Sequence, residues 1–295
     1  MTVMAQKVES HMNTKLLLSR RNAIQLGAAT IAGAAATSIG AFGQEAVADE
    51  DIFQFALNLE YMETEYYLRA TTGKGIQEAD LGSDPGKVNG GHAVKFKSAA
   101  LREFGEELSQ NELAHVRFYR EVLGDQAVGR PTIDFEAGFK AAASAAGLGD
   151  NFDAFENDMT FLLGGMLFED VGVTAYAGAA SLIKKPEFVD AAARILAVEA
   201  YHMGMARSQL YRMGEQARKA ANALSDARDK VDGKDDKDQG IEVDGKANFV
   251  PTTKKGMVFT RTPQEVLRIV YLTDKDGAQG GGFYPEGIKG KIRTT

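Results

Sequence analysis

The chain has 295 residues, 44% of them hydrophobic, enough for one well-filled domain of roughly 150 residues with appendages and no need of a second. It contains neither cysteine nor tryptophan, so disulfides and thiolate sites are excluded and any metal must sit on oxygen and nitrogen. The formal charge of −7 becomes −9 when residues 1–48 are set aside, because Lys7, Lys15, Arg20 and Arg21 there outnumber Glu9 and Glu45 by two. Nucleic acid, whose phosphates demand a basic surface, is therefore not an expected partner.

At the N-terminus, Ser19-Arg20-Arg21-Asn22-Ala23-Ile24 precedes an uncharged, Ala- and Gly-rich stretch to Gln44 and then Ala46-Val47-Ala48. This resembles a bacterial twin-arginine signal with a small-residue cleavage site. The stretch has too few large apolar residues to make a good permanent span. Residues 1–48 are thus expected to be read by export machinery and removed, giving a periplasmic or extracellular chain that begins near Asp49. The twin-arginine route carries proteins already folded, often with a metal or cofactor aboard, as that resemblance implies.

Helical periodicity begins at about Asp51, with Phe53, Leu57, Tyr61 and Tyr67 on a stripe that also takes in Glu60 and Thr64. This predicts helix one to about Ala70. Gly73 to Gly91 has turn chemistry and is a long connection. Helix two is expected from about Lys97 to Leu123, with Leu101, Phe104, Leu108, Glu112, His115, Phe118 and Val122 in line and Gly124 as its stop. A crossover of residues 125–150, with a short amphipathic segment around Phe135, Phe139 and Ala142, is too long for a hairpin turn. Helix three is expected from about Asn151 to Ile183 and helix four from about Glu187 to Ala221. Two helical pairs joined by a long crossover give an all-α four-helix bundle over residues 49–223. The charged run Asp226 to Asp244 reads as a solvated or disordered linker within residues 224–250. Residues 251–295 read as a C-terminal extension, with a short helix over Thr262 to Tyr271 and a glycine-rich covering loop.

The stripes that should face the core contain Glu60, Glu112, His115, Glu169, Glu199 and His202. Carboxylates buried without compensating charge are costly. Two pairs, Glu112/His115 and Glu199/His202, have Glu-x-x-His spacing, which puts a carboxylate and an imidazole on one helix face. One Glu from each of two helices plus Glu-x-x-His from each of the other two is the donor plan of di-iron and di-manganese carboxylate bundles. Glu63, three residues after Glu60, shares its face and is either a further ligand or a neighbouring carboxylate. Glu65 falls well round the helix. Asp170 points away from the metal face and is a candidate to hydrogen-bond a ligand. Tyr67, Tyr119, Tyr176 and Tyr201 are core packing residues or hydrogen-bond partners of ligands.

The stretches Phe55 to Glu63, Asn111 to His115, Phe168 to Gly172 and Glu199 to His202, together with Gly281 to Gly287, resemble the ferritin-like family that includes desiccation-related proteins. The resemblance covers about residues 51–215 and the C-terminal segment. It implies a ferritin-like bundle holding two Fe or Mn ions, with dioxygen or peroxide as a small oxidant. It equally implies a non-catalytic stress protein that keeps the bundle for stability or metal sequestration.

Overall fold

The computed structural model describes residues 47–295; the expected signal, residues 1–48, lies outside them save for Val47 and Ala48. Helix α1 (Asp49–Thr72) opens on Asp49, Glu50 and Asp51, three acids that complement the positive end of the helix dipole. The Ala48 N–H donates to Asp51 Oδ2 at 2.9 Å, and Gly73, at φ 74°, ends the helix. Helix α2 (Ala99–Leu123) starts on Ser98, whose hydroxyl accepts from the Leu101 N–H. The connection between them is tied down by a two-residue parallel pairing, β1 (Val88–Asn89) with β2 (Ile133–Asp134), in which Val88 faces Ile133. The crossover then carries α3 (Phe135–Ala145).

Helix α4 (Asp158–Ala179) is shorter at both ends than the apolar period predicts. Asn157 is the reason at its start: its side chain accepts from the Met159 and Thr160 N–H groups and fixes the helix entry there. Phe155 belongs to the preceding turn and packs on Tyr66, Phe135 and Phe139. Helix α5 (Pro186–Arg212) begins with proline at a position that needs no N–H. Helices α1 and α2 form one packed pair and α4 and α5 the other, giving the all-α bundle expected. Helices α1 and α4 are the inner members, buried on nearly every side near mid-length.

Beyond α5 the structure corrects the sequence reading. The fourth helix does not continue to Ala221. It stops at Met213, Gly214 turns the chain at φ 103°, and a separate α6 (Glu215–Asp232) packs on α3, α4, α5 and the short α7 (Pro263–Tyr271). Nor is the charged run simply a solvated linker, because Arg228, Asp232 and Asp238 within it are buried and paired inside. Arg228 donates to Asp170 Oδ2 at 2.7 Å and lies 2.9 Å from Asp238. Arg207 reaches the same Asp170 oxygen at 2.8 Å, and Arg261 joins Asp232 and Asp238. The C-terminal residues are equally integral: Tyr284 Oη donates to the Asn58 carbonyl at 2.8 Å, and the Asn58 side chain exchanges two hydrogen bonds with the Lys289 backbone. Among the described residues, no helix is long and apolar enough to cross a membrane.

Removing one partner of a buried ion pair leaves an uncompensated charge and costs about 3–5 kcal/mol. Arg228→Ala is therefore expected to lower unfolding stability by about that amount in urea titration, whereas Asp235→Ala, at an exposed position of the same run, changes it little. Equal, small effects would return the segment to the status of a linker.

Candidate metal centre

The apolar stripes bring Glu60 of α1, Glu112 and His115 of α2, Glu169 of α4, and Glu199 and His202 of α5 to one place in the bundle core. Their donor atoms form two overlapping groups. Glu60, Glu112, His115 and Glu199 make the first, Glu112, Glu169, Glu199 and His202 the second, with atoms in each within 4.8 Å of one another. Glu112 and Glu199 belong to both, so each spans the gap between the two groups. The Glu112 carboxylate is split across it: Oε2 is 3.2 Å from His115 Nδ1, and Oε1 is 2.9 Å from His202 Nδ1. His115 Nδ1 is also 3.1 Å from Glu60 Oε2, and His202 Nδ1 is 3.4 Å from Glu169 Oε2.

His115 is hydrogen-bonded to Glu60 and Glu112, but around His202 Nδ1 and Glu199 proximity is not hydrogen bonding. Glu112 Oε1, Glu169 Oε2, both Glu199 oxygens and His202 Nδ1 are buried without a hydrogen bond, although His202 lies within ion-pair distance of two of those carboxylates. The atoms are close but misaligned for each other, as donors aimed at common points between them would be. Leaving such groups unpaired costs about 1–3 kcal/mol each or more when charged. A cation among them would satisfy them, and oxygen and imidazole are donors that divalent metals take. The residues present thus fit metal ions.

The outer oxygens of the two single glutamates are held across the bundle. Tyr67 Oη of α1 donates to Glu169 Oε1 at 2.5 Å, and Tyr176 Oη of α4 donates to Glu60 Oε1. Tyr119 Oη in turn donates to Tyr176 Oη at 2.8 Å. Glu60 and Tyr67 stand seven residues apart, as do Glu169 and Tyr176, so each inner helix supplies a ligand-type Glu and the tyrosine for the other's. That equal spacing is the one sequence signal for the arrangement. Tyr201, by contrast, is 78% exposed and takes no part. Asn111 sits 3.2 Å from the outer Nε2 of His202 and helps orient that ring.

Three neighbouring acids separate clearly. Glu63 is buried on the cluster side, facing Glu60, Glu112, Glu169 and Glu199. Glu65 points elsewhere, to Arg69 and Arg130. Asp170 bonds no ligand, contrary to its candidacy, because Arg207 and Arg228 claim it. Gly172 was not visible as a site residue. A Cβ there would lie 2.2 Å from Glu199 Oε2 and 3.6 Å from Glu63 Oε1, so only glycine leaves Glu199 its place.

The cluster holds protons where cations would bind. Burial, with the Glu112 carboxylate nearby, pushes the Glu60 carboxyl up to about 7 despite His115 beside it. Burial and neighbouring carboxylates push Glu63 and Glu199 well above the usual range. Burial opposes charge on the imidazoles, yet Glu60 and Glu112 raise His115 to about 11, and Glu169 and Glu112 raise His202 to about 10. Glu112 is held below the ordinary range, since the two imidazoles outweigh its burial.

In chelated protein, the raised Glu60 favours the fold most below its ordinary value of 4.5 and loses that contribution as pH rises through about 7. The two histidines act in the same direction and lose theirs near 10 to 11. Cations replace these protons, so the rise in Tm on adding Mn²⁺ or Fe²⁺ is expected to be larger near pH 8 than near pH 5.5. An equal or smaller rise at the higher pH contradicts the assignment. Gly172→Ala should keep its helix, alanine being about 1 kcal/mol better there by propensity, while Glu199 is displaced. Unchanged circular dichroism with metal affinity lowered about tenfold or more in titration calorimetry is the expected pair of results.

The match to known proteins agrees with this geometry. Residues 48–212 match the model of the ferritin-like domain family. A desiccation-related protein of Craterostigma plantagineum is 29% identical over 244 residues, covering 74% of this chain and 76% of the relative. A ferritin-like catalase of Nesocodon mauritianus is 25% identical over 270 residues, covering 83% of this chain and 85% of that protein. No solved structure matches the chain significantly.

Proposed function

Because the chain belongs to the ferritin-like family, we propose that its core cluster binds two Fe or Mn ions and uses them for redox chemistry with peroxide or dioxygen in protection against stress. The observation that carries this reading is the pair of overlapping donor groups sharing Glu112 and Glu199, with buried oxygens that no hydrogen bond satisfies. Ions held by these residues would supply the electron exchange with an O–O bond, which for peroxide would amount to converting two H₂O₂ into two H₂O and O₂.

The protein's own part is to hold both oxidation levels without losing the ions. His115 and His202 would each hold one end, while Glu112 and Glu199, whose oxygens belong to both donor groups, would serve the middle. Tyr67 and Tyr176 each occupy one oxygen of Glu169 and Glu60, which fixes the direction of the other oxygen. The packed helices keep bulk water from the centre. The name of the Nesocodon relative supports the peroxide reading, and that of the Craterostigma relative supports a role in stress.

Metal-loaded protein is expected to carry about two ions per chain, with the manganese form evolving oxygen from peroxide or the iron form consuming dioxygen. Glu112→Ala and Glu199→Ala should reduce either rate by at least about a hundredfold while leaving the helices folded. A loaded protein that binds two ions, resists heat or drying, and reacts no faster than free metal would establish a sequestering or structural role instead.

Export by the twin-arginine route is part of the same proposal and rests on the sequence of residues 19–48. It is supported by the start of α1 at Asp49, directly after the small-residue site. The intact mass of protein accumulated in its host should correspond to a chain beginning near Asp49. A retained Met1 would refute export with cleavage.

A further inference from the structure

Between α1 and α4, under a roof formed by α7 and Ile292, runs a cavity whose walls are almost wholly apolar. Ala56 and Leu59 line it from α1, Ala175 and Ala179 from α4, and Val266 from α7. Its inner end is Glu63 and Gly172. A smaller cavity under the same helix meets it there, sharing Leu59, Glu63 and Gly172.

Two facts give this space a use. The first is size and chemistry: about 30 Å³ of cavity volume is room for about two water-sized groups, enough for a molecule of two heavy atoms. Apolar walls exclude ions, whose desolvation they cannot offset. The second fact is Glu63. It is 4% exposed, borders both cavities, and has no hydrogen-bond partner among the described residues. A Cβ on Gly172 would lie 2.2 Å from Glu199 Oε2 and 3.6 Å from Glu63 Oε1, so at this glycine the cavity wall is backed directly by the carboxylates of the cluster.

Resting on the function proposed above, we propose that this cavity is the path by which hydrogen peroxide, a neutral molecule of two heavy atoms, reaches the cluster, and that Glu63 receives it by hydrogen bonding. Peroxide fits better than dioxygen because it both donates and accepts hydrogen bonds. It therefore satisfies a buried carboxyl that dioxygen would leave unpartnered.

The test uses the full manganese-loaded chain with Ala175→Phe, the milder Ala175→Leu, Glu63→Leu and Glu63→Gln, each checked for ion content. Ala175→Phe should lower kcat/KM for peroxide at least tenfold, Ala175→Leu by less, with kcat little changed in both. Glu63→Leu should also lose at least tenfold, and Glu63→Gln, which keeps hydrogen-bonding capacity, should recover most of it. Crystals pressurised with krypton give a readout independent of turnover: a krypton atom beside Ala175 and Val266 in the wild type, absent in Ala175→Phe. Wild-type kcat/KM in both Ala175 variants with two ions bound would overturn the path while leaving the proposed function standing. Wild-type kcat/KM in Glu63→Leu would overturn the role of Glu63. If only dioxygen consumption, and not peroxide turnover, responds to the Ala175 variants, the assignment of peroxide is overturned. A loaded wild-type protein inert to both oxidants would overturn the path and the proposed function together.

Discussion

The constraint on which this structure turns is the cost of gathering Glu60, Glu63, Glu112, Glu169 and Glu199 in a space closed to water. Each carboxylate resists both desolvation and its neighbours, so the fold can hold them only with protons or cations among them. Much of the surrounding architecture follows. The inner helix α4 is apolar almost all round, two tyrosines occupy outward oxygens, and glycine stands where any side chain would push Glu199 aside.

A second electrostatic centre holds the first in register. Glu169 and Asp170 are adjacent on α4, and successive helical residues point about 100° apart. Glu169 therefore faces the donor cluster while Asp170 faces Arg207 of α5 and Arg228 of α6. Rotating α4 about its axis would break both sets of contacts at once. The acidic and basic residues beyond Gly214 are thus part of the mechanism by which the centre keeps its geometry. Unlike the central carboxylates, Asp170, Asp232 and Asp238 lie against guanidinium groups.

The four main helices and the six ligand-type residues were legible because helical period and Glu-x-x-His spacing are local properties. What escaped the sequence depends on partners far along the chain. The run from Asp226 looks solvated because nothing near it shows that Arg228 meets Asp170, 58 residues earlier. The break at Gly214 lies in a stretch whose flanks both favour helix, so only the packing of α6 reveals it. The start of α4 was misplaced because Phe152 and Phe155 fall in phase with the helix although Asn157 caps it later. Asp170 was misassigned for a related reason, since spacing gives the direction a side chain leaves its helix and not what waits there. Glu63 lay between the two cases: its face was evident from the spacing, its lack of partners was not.

The crossed bonds of Tyr67 and Tyr176 give the two halves of the bundle a reciprocal character. The α1–α2 hairpin carries Glu60 but relies on the other hairpin for the tyrosine that orients it, and the α4–α5 hairpin is in the same position with Glu169. The spanning carboxylates divide likewise, Glu112 on one side and Glu199 on the other. Neither hairpin alone contains either donor group whole, so the groups form only when the halves dock. The two donor groups are whole only in molecules whose hairpins have closed on one another.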